Sequence, residues 1–166
     1  DEAERLQALR ELLILDTPPE ERFDRITRFA MGEFEMPMAL ISLVDRDRQW
    51  FKSRQGLDVA ETSRDISYCS YAVLADMPLL IEDSETDPRF AGTDLAKSNP
   101  GARFYAGWPL HDVSGMPLGT LCLADPHVRR LNARQKCQLR DLAYLAEGYL
   151  RLQHSSQQAQ ELRDAL

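Results

Sequence analysis

Three cysteines and three histidines are the residues of this 166-residue chain best suited to redox, metal or nucleophilic chemistry. Cys69, Cys122 and Cys137 are odd in number and far apart, so no disulfide framework is legible, and reduced thiols in a cytoplasmic protein are expected. A reactive thiol needs a depressed pKa, and no residue adjacent in sequence guarantees one. Cys122 and Cys137 read as small buried hydrophobes. His111, His127 and His154 have no His or Cys at ligand spacing, so no metal site is expected. Ser67, His111 and Asp83 are the residue types of a nucleophilic triad, yet such sets can be assembled from any chain until geometry joins them. Glu82-Asp83-Ser84-Glu85 with Asp87 offers oxygens to a hard cation, but a solvated acidic loop is the favoured account of it. Gly107, Gly115 and Gly119 fall in strands and turns, so no phosphate-binding loop is present. No catalytic residue is assigned, and the domain itself is expected not to be an enzyme.

The elements that would carry these residues follow from periodicity. Leu6, Leu9, Leu12 and Leu13 mark one face of a helix over 1–15, broken by Asp16-Thr17-Pro18-Pro19. A second helix starts at these prolines, with Phe23, Ile26, Ala30 and Phe34 on one stripe, and ends near Glu35. Met38 to Val44 is a continuous apolar run, as expected of a strand covered on both faces. After the turn Asp45-Arg46-Asp47, the alternation from Arg48 to Arg54 places Trp50, Lys52 and Arg54 on one face and Gln49, Phe51 and Ser53 on the other. Gly56 is expected to close this hairpin. Ser67 is a helix cap for Tyr68 to Leu74, Leu79 to Ile81 is a brief strand, and 83–103 is a polar loop of functional length. Phe104 to Leu110 and Leu118 to Leu123 form a second hairpin. A long helix from Asn132 is expected to face inward with Leu139, Leu142, Leu145, Tyr149 and Leu152. Two antiparallel hairpins with terminal helices make an α+β layer fold.

Composition narrows the function classes. A net charge of −7 argues against general nucleic-acid binding, which needs a basic face. No apolar run approaches a membrane span, and no signal-peptide pattern opens the chain. The charge is uneven: residues 1–22 hold seven acids and three bases, and residues 126–166 hold four acids and seven bases. If the two terminal helices pack side by side, these ends are complementary, though exposed pairs contribute little each. Asp1 at the start suggests a piece of a longer protein.

The segments ILDTPPEERFDRI, ALISLVDRDRQWFKSRQGL, ISYCSYAVL, IEDSETDPRF, RFYAGWPL and PLGTLCLAD occur in an order that resembles the GAF domain. The similarity is to a bacterial subgroup found with sensor histidine kinases and diguanylate cyclases, and it runs from Arg5 to Leu152. It implies a central antiparallel β-sheet with N- and C-terminal helices packed on one side and loops with a short helix on the other. It also implies a cytoplasmic signal-transduction module that binds a small molecule or partner, and transmits the change through terminal helices to an output domain. The ligand would lie between the sheet and the crossing loops. The matching positions are Trp50, Lys52, Arg54, Ser67, Cys69, Asp83, Phe104 and Tyr105, although aromatics alternating along strands also read as core. An arginine fork among them could read a carboxylate or phosphate.

The ligand's identity and any cofactor stay open. The Asn-Lys and Phe-Asp-Glu signature of the cyclic-nucleotide-binding subgroup is absent, and ISYCSYAVL does not resemble the tetrapyrrole attachment context of phytochromes. Residues 1–152 are expected to form the sensory domain and 153–166 to extend its signalling helix. Ser156, Ala159, Leu162 and Leu166 continue a three-four spacing there, which points to a homodimer through the terminal helices. Two other readings are a ligand-free dimerisation scaffold and a thiol-dependent methionine sulfoxide reductase. The latter enzymes resemble GAF domains, but the sequence flanking Cys69 does not match theirs.

Overall fold

A computed structural model describes residues 1–166. Its elements run α1 (Glu2–Glu11), α2 (Glu21–Glu33), β1 (Met38–Val44), β2 (Arg48–Gln55), β3 (Glu61–Ser63), α3 (Tyr68–Ala75), β4 (Leu79–Ile81), α4 (Asp94–Ser98), β5 (Phe104–His111), β6 (Pro117–Asp125) and α5 (Ala133–Ala165). The six strands form one antiparallel sheet in the order β3-β2-β1-β6-β5-β4. The fold is the expected α+β layer arrangement. β1 lies at the centre, and its apolar run serves both faces: Ala39, Ile41 and Leu43 join one core, Leu40 and Val44 the other.

The first core holds 23 buried residues and binds the sheet to α1, α2 and α5; the second holds 13 and binds it to α3 and the segments around α4. Phe23, Ile26, Ala30 and Phe34 are all buried, as the stripe on α2 predicts. The C-terminal end of that helix leaves carbonyls without helical donors. Arg129 supplies them, donating to Phe34 O at 2.8 Å and Glu35 O at 2.9 Å while paired with Asp125. Asn132 and Gln135 form a reciprocal capping box at the start of α5.

Four local expectations change. α1 ends at Glu11 rather than near Leu15. The turn Asp45–Asp47 closes the first hairpin, and Gly56 instead follows β2. β3 carries only Glu-Thr-Ser, too short and polar to show alternation, and is a strand because the edge of β2 pairs with it. α5 buries Leu139, Ala143, Ala146, Glu147 and Leu150, while Leu145 and Leu152 are more than half exposed. Both stripes have three-four spacing, so periodicity could not choose between them; the small alanines let the helix lie close on the sheet. The terminal charges also find other partners: Glu2 pairs with Arg64 and Arg10 with Asp45, and no ion pair joins α1 to α5. The two helices instead meet through a hydrogen bond from Gln153 to Leu12 O at 3.1 Å.

His111, at the end of β5, ties the layers together. Its Nδ1 lies 2.5 Å from Glu147 on α5, and its Nε2 lies 2.5 Å from Asp76, the left-handed cap of α3. Burial opposes its protonation, but the two carboxylates outweigh that and raise its pKa above the ordinary value. A raised pKa in the folded state stabilises the protein fully below the unfolded value of about 6.5, and that stabilisation disappears as pH rises through the folded value. The wild-type melting temperature is therefore expected to fall between pH 6 and pH 8 through this group. His111→Ala should flatten that segment of the profile in a calorimetric series.

Gly119 permits the closest strand approach. A Cβ there would stand 1.8 Å from Ser42 O and 2.9 Å from the Leu43 Cα, both on β1. Neither atom can move without shifting the central strand. Gly119→Ala is expected to destabilise the protein by about 1–3 kcal/mol or more in urea denaturation.

Candidate functional site

A cavity of about 200 Å³ opens on the less covered face of the sheet. Leu40 of β1, Phe51 of β2, Tyr105 of β5 and Cys122 of β6 form its floor, and Tyr68 and Cys69 of α3 form one wall. Ser98 to Ala102, the end of α4 and a following 3-10 turn, make the rim, where Pro100 and Gly101 are exposed. Asn99 holds this rim in place, donating to Ile66 O at 2.7 Å and Leu95 O at 2.9 Å. The segment 83–103, expected as a polar loop, thus contains a helix and a turn with fixed anchors.

Aromatic packing shapes the wall. The Tyr68 ring lies 5.1 Å edge-on from Phe90 and 5.3 Å from Tyr105. The Tyr68 hydroxyl is buried on the side of Ser84 and Asp87, which lie outside the cavity lining. At the opposite corner, Gln49 donates to Thr62 at 2.7 Å and accepts from Ser42 and Ser67 at 3.0 and 2.9 Å.

Two thiols meet at the base. Cys69 Sγ lies 3.9 Å from Cys122 Sγ and accepts from Tyr105 Oη at 3.0 Å and Thr120 Oγ1 at 3.1 Å. Burial opposes ionisation of Cys69, but the hydrogen bonds from Cys122, Thr120 and Tyr105 outweigh it and lower its pKa to about 6. Beside it, the Cys122 thiol is pushed well above its ordinary value by Cys69 and by burial. Gly107 makes this contact possible: a Cβ there would stand 2.2 Å from Tyr105 Oη and 2.7 Å from its Cζ. The phenol lies across the glycine to reach the sulfur.

Of the eight positions expected at the site, Cys69 and Tyr105 line the cavity. Ser67 caps α3 and touches the site only through Gln49. Trp50 and Phe104 are buried in the larger core, on the far side of the sheet. Lys52 also faces the helices, with Nζ 2.7 Å from Glu20 and 2.8 Å from both Thr17 Oγ1 and Pro18 O. Trp50 and Lys52 share a face as the alternation predicts, but it is the helix face and not the cavity face. Ile41 pairs with Ser53 and Ser42 with Phe51, so Lys52 is the extra residue of a β-bulge, beyond which Ser53 faces α2 and Arg54 turns to the other side. Arg54 consequently lies opposite Leu40 on the cavity face but is exposed and outside the lining, so no arginine fork enters the cavity. Asp83 is held by Arg103 at 2.9 and 3.1 Å, and its pKa is lowered by that bond. Ser67, His111 and Asp83 each engage different partners and form no triad.

Sequence reasoning missed Gln49, Asn99, Gly107, Thr120 and Cys122 as contributors. The alternation of β2 does put Gln49 and Phe51 together, and that was the available signal. Cys122 is buried, as expected of a small hydrophobe, but it faces a second thiol from an element 53 residues away.

The GAF domain family model matches residues 18–150. A Pseudomonas aeruginosa protein named cyclic di-GMP phosphodiesterase is 39% identical over 129 residues, 78% of this chain and 22% of that protein. The chain thus spans about a fifth of that relative's length. The GAF domain of an Acinetobacter phosphoenolpyruvate-protein phosphotransferase superposes with a TM-score of 0.67 at 15% identity, covering 92% of this chain and 96% of that one. A free methionine-R-sulfoxide reductase from Neisseria meningitidis superposes with a TM-score of 0.61 at 18% identity, covering 99% and 91%.

These matches correct the expectation that the domain is not an enzyme. The sequence relative carries an enzyme's name, and the same fold houses a reductase, so an assignment of no activity does not stand. No helix is long and apolar enough to cross a membrane. On the extent of the family match and the identity to its relative, the chain belongs to the GAF domain family.

Proposed function

We propose that this GAF domain is a cytoplasmic sensory module of a longer signalling protein, and that its cavity takes a small, mainly apolar molecule. The observation that carries this reading is the partly enclosed, mainly apolar cavity between the sheet, α3 and the segment after α4. Its 200 Å³ is below the ~300–1,000 Å³ of pockets for drug-sized ligands, so the ligand class is correspondingly small. The relative named for cyclic di-GMP hydrolysis supports an output domain acting on cyclic dinucleotides. The ligand itself would shift the segment 83–103 and α3.

Transmission would use the contact between layers. α3 forms the cavity wall, and its cap Asp76 reaches α5 through His111 and Glu147. A ligand that prefers one position of α3 biases α5 by its difference in affinity for the two positions. Residues 1–152 act in this reading as the sensory domain, and 153–166 as the extension of its signalling helix.

The same helix supports a second role, pairing with another copy of the chain. Leu145, Leu152, Ala159 and Leu166 recur every seven residues along α5, and the three leucines are more than half exposed, as is Leu162. This spacing suits a homodimer seam.

Two measurements test these proposals. A thermal-shift screen of small metabolites should find one that raises the melting temperature by about 5–10 °C at a hundredfold excess over its dissociation constant. Ala124→Leu, which fills the cavity from a lining position on β6, should reduce that shift; a screen without any stabilising compound would refute ligand binding. Light scattering should give twice the 19.0 kDa chain mass, and Leu152→Glu with Leu162→Glu should return it to 19.0 kDa. A wild-type monomer at all concentrations would refute the seam.

A further inference from the structure

We propose that Cys69 and Cys122 are a redox couple, oxidised to an intramolecular disulfide by a small hydroperoxide that enters the cavity. The inference goes beyond ligand sensing and does not require it. Three features of the geometry carry it.

The first is the distance. The sulfurs lie 3.9 Å apart, with one on α3 and the other on β6. Bond formation needs an approach to about 2 Å, which a displacement of α3 toward the sheet supplies. Second, the Tyr105 and Thr120 hydroxyls both donate to one sulfur, at 3.0 and 3.1 Å, with the Cys122 sulfur beside it. A neutral thiol is a weak acceptor, so two hydroxyl donors aimed at it are an environment suited to a thiolate. Third, both thiols line the cavity, although each is almost entirely shielded from bulk solvent. A small oxidant can reach them through the cavity, where larger thiols and disulfides would not fit.

The steps balance. Cys69 thiolate attacks the terminal oxygen of the hydroperoxide, a sulfur–oxygen bond forms, and the oxygen–oxygen bond breaks. The leaving alkoxide or hydroxide takes up the proton that Cys69 lost on ionising and departs as alcohol or water. Cys122 sulfur then attacks the Cys69 sulfenic acid, the sulfur–oxygen bond breaks, and hydroxide leaves with the Cys122 proton as water. The two thiols together lose two electrons, and the peroxide gains two. Cys122 keeps its proton until the second step because its neighbour already holds the negative charge. The disulfide would draw α3 inward and take from Tyr105 and Thr120 the sulfur they donate to, so the redox state sets the shape of the cavity.

The test uses the full 166-residue chain carrying Cys137→Ser, which removes the exposed third thiol. The reduced protein is treated with hydrogen peroxide at pH 7, denatured, alkylated and weighed intact. The expected result is a loss of about 2 Da with neither thiol alkylated, reversed by dithiothreitol. Peptide mapping of the wild-type chain should find the Cys69 and Cys122 peptides joined. Tyr105→Phe removes a donor and Gly107→Ala displaces the phenol, and each should slow oxidation at pH 7 by about tenfold. Two alkylated thiols after treatment, or oxygen added to Cys69 with Cys122 still alkylated, would overturn the couple. An unchanged rate in both variants would overturn the activating role of the donors. Circular dichroism of each variant separates slow chemistry from loss of fold.

Discussion

A sheet that is apolar on both faces must be covered twice, and most of this structure answers to that requirement. β1 lies at its centre with six of seven residues buried, so neither face can be left to water. Three helices cover one face and form with it a core of 23 buried residues, with small residues such as Ala143 and Ala146 at the contact. On the other face are only α3, the five-residue α4 and two 3-10 turns. Interiors of proteins tolerate few voids, but so little covering material cannot fill a face of this extent. The cavity is what the incomplete cover leaves.

Polar groups inside such a fold must be paired, and their pairing decides which face of the sheet can bind. Lys52 shares the helix face with Trp50, and its ammonium group reaches Glu20, Thr17 and Pro18, where it joins β2 to the segment before α2. With Lys52 on that side and Arg54 in solvent, the cavity carries no cation. Ser42, Gln49, Thr62 and Ser67 bond to one another along its edge. What remains at the base is a sulfur centre held by tyrosine and threonine hydroxyls. An apolar chamber with these few groups differs in kind from the charged anion site that an arginine on β2 would have made.

The two layers communicate at one edge. His111 touches α3 through Asp76 and α5 through Glu147, and α5 then leaves the sheet for its exposed last three turns. In the proposed reading, a displacement of α3, by a ligand or by a disulfide to β6, would act on a helix that extends beyond the core. The sensory reading and the thiol chemistry share this element.

Periodicity and punctuation alone were enough for four of the five helices, five of the six strands and the α+β class, because burial of one face writes a local repeat of 2 or 3.6 residues, which the five-residue α4 is too short to show. The ordered motifs sufficed for the family. Tertiary structure alone decided which of two equivalent stripes on α5 meets the sheet, since Leu145 and Ala146 differ only by a rotation about the helix axis. It also decided that Lys52 is an extra residue, because a bulge exists only relative to the strand beside it. The meeting of Cys69 with Cys122 was likewise invisible in the chain. It arises from closing a helix onto a strand 53 residues away, and no local pattern encodes a distance of that kind.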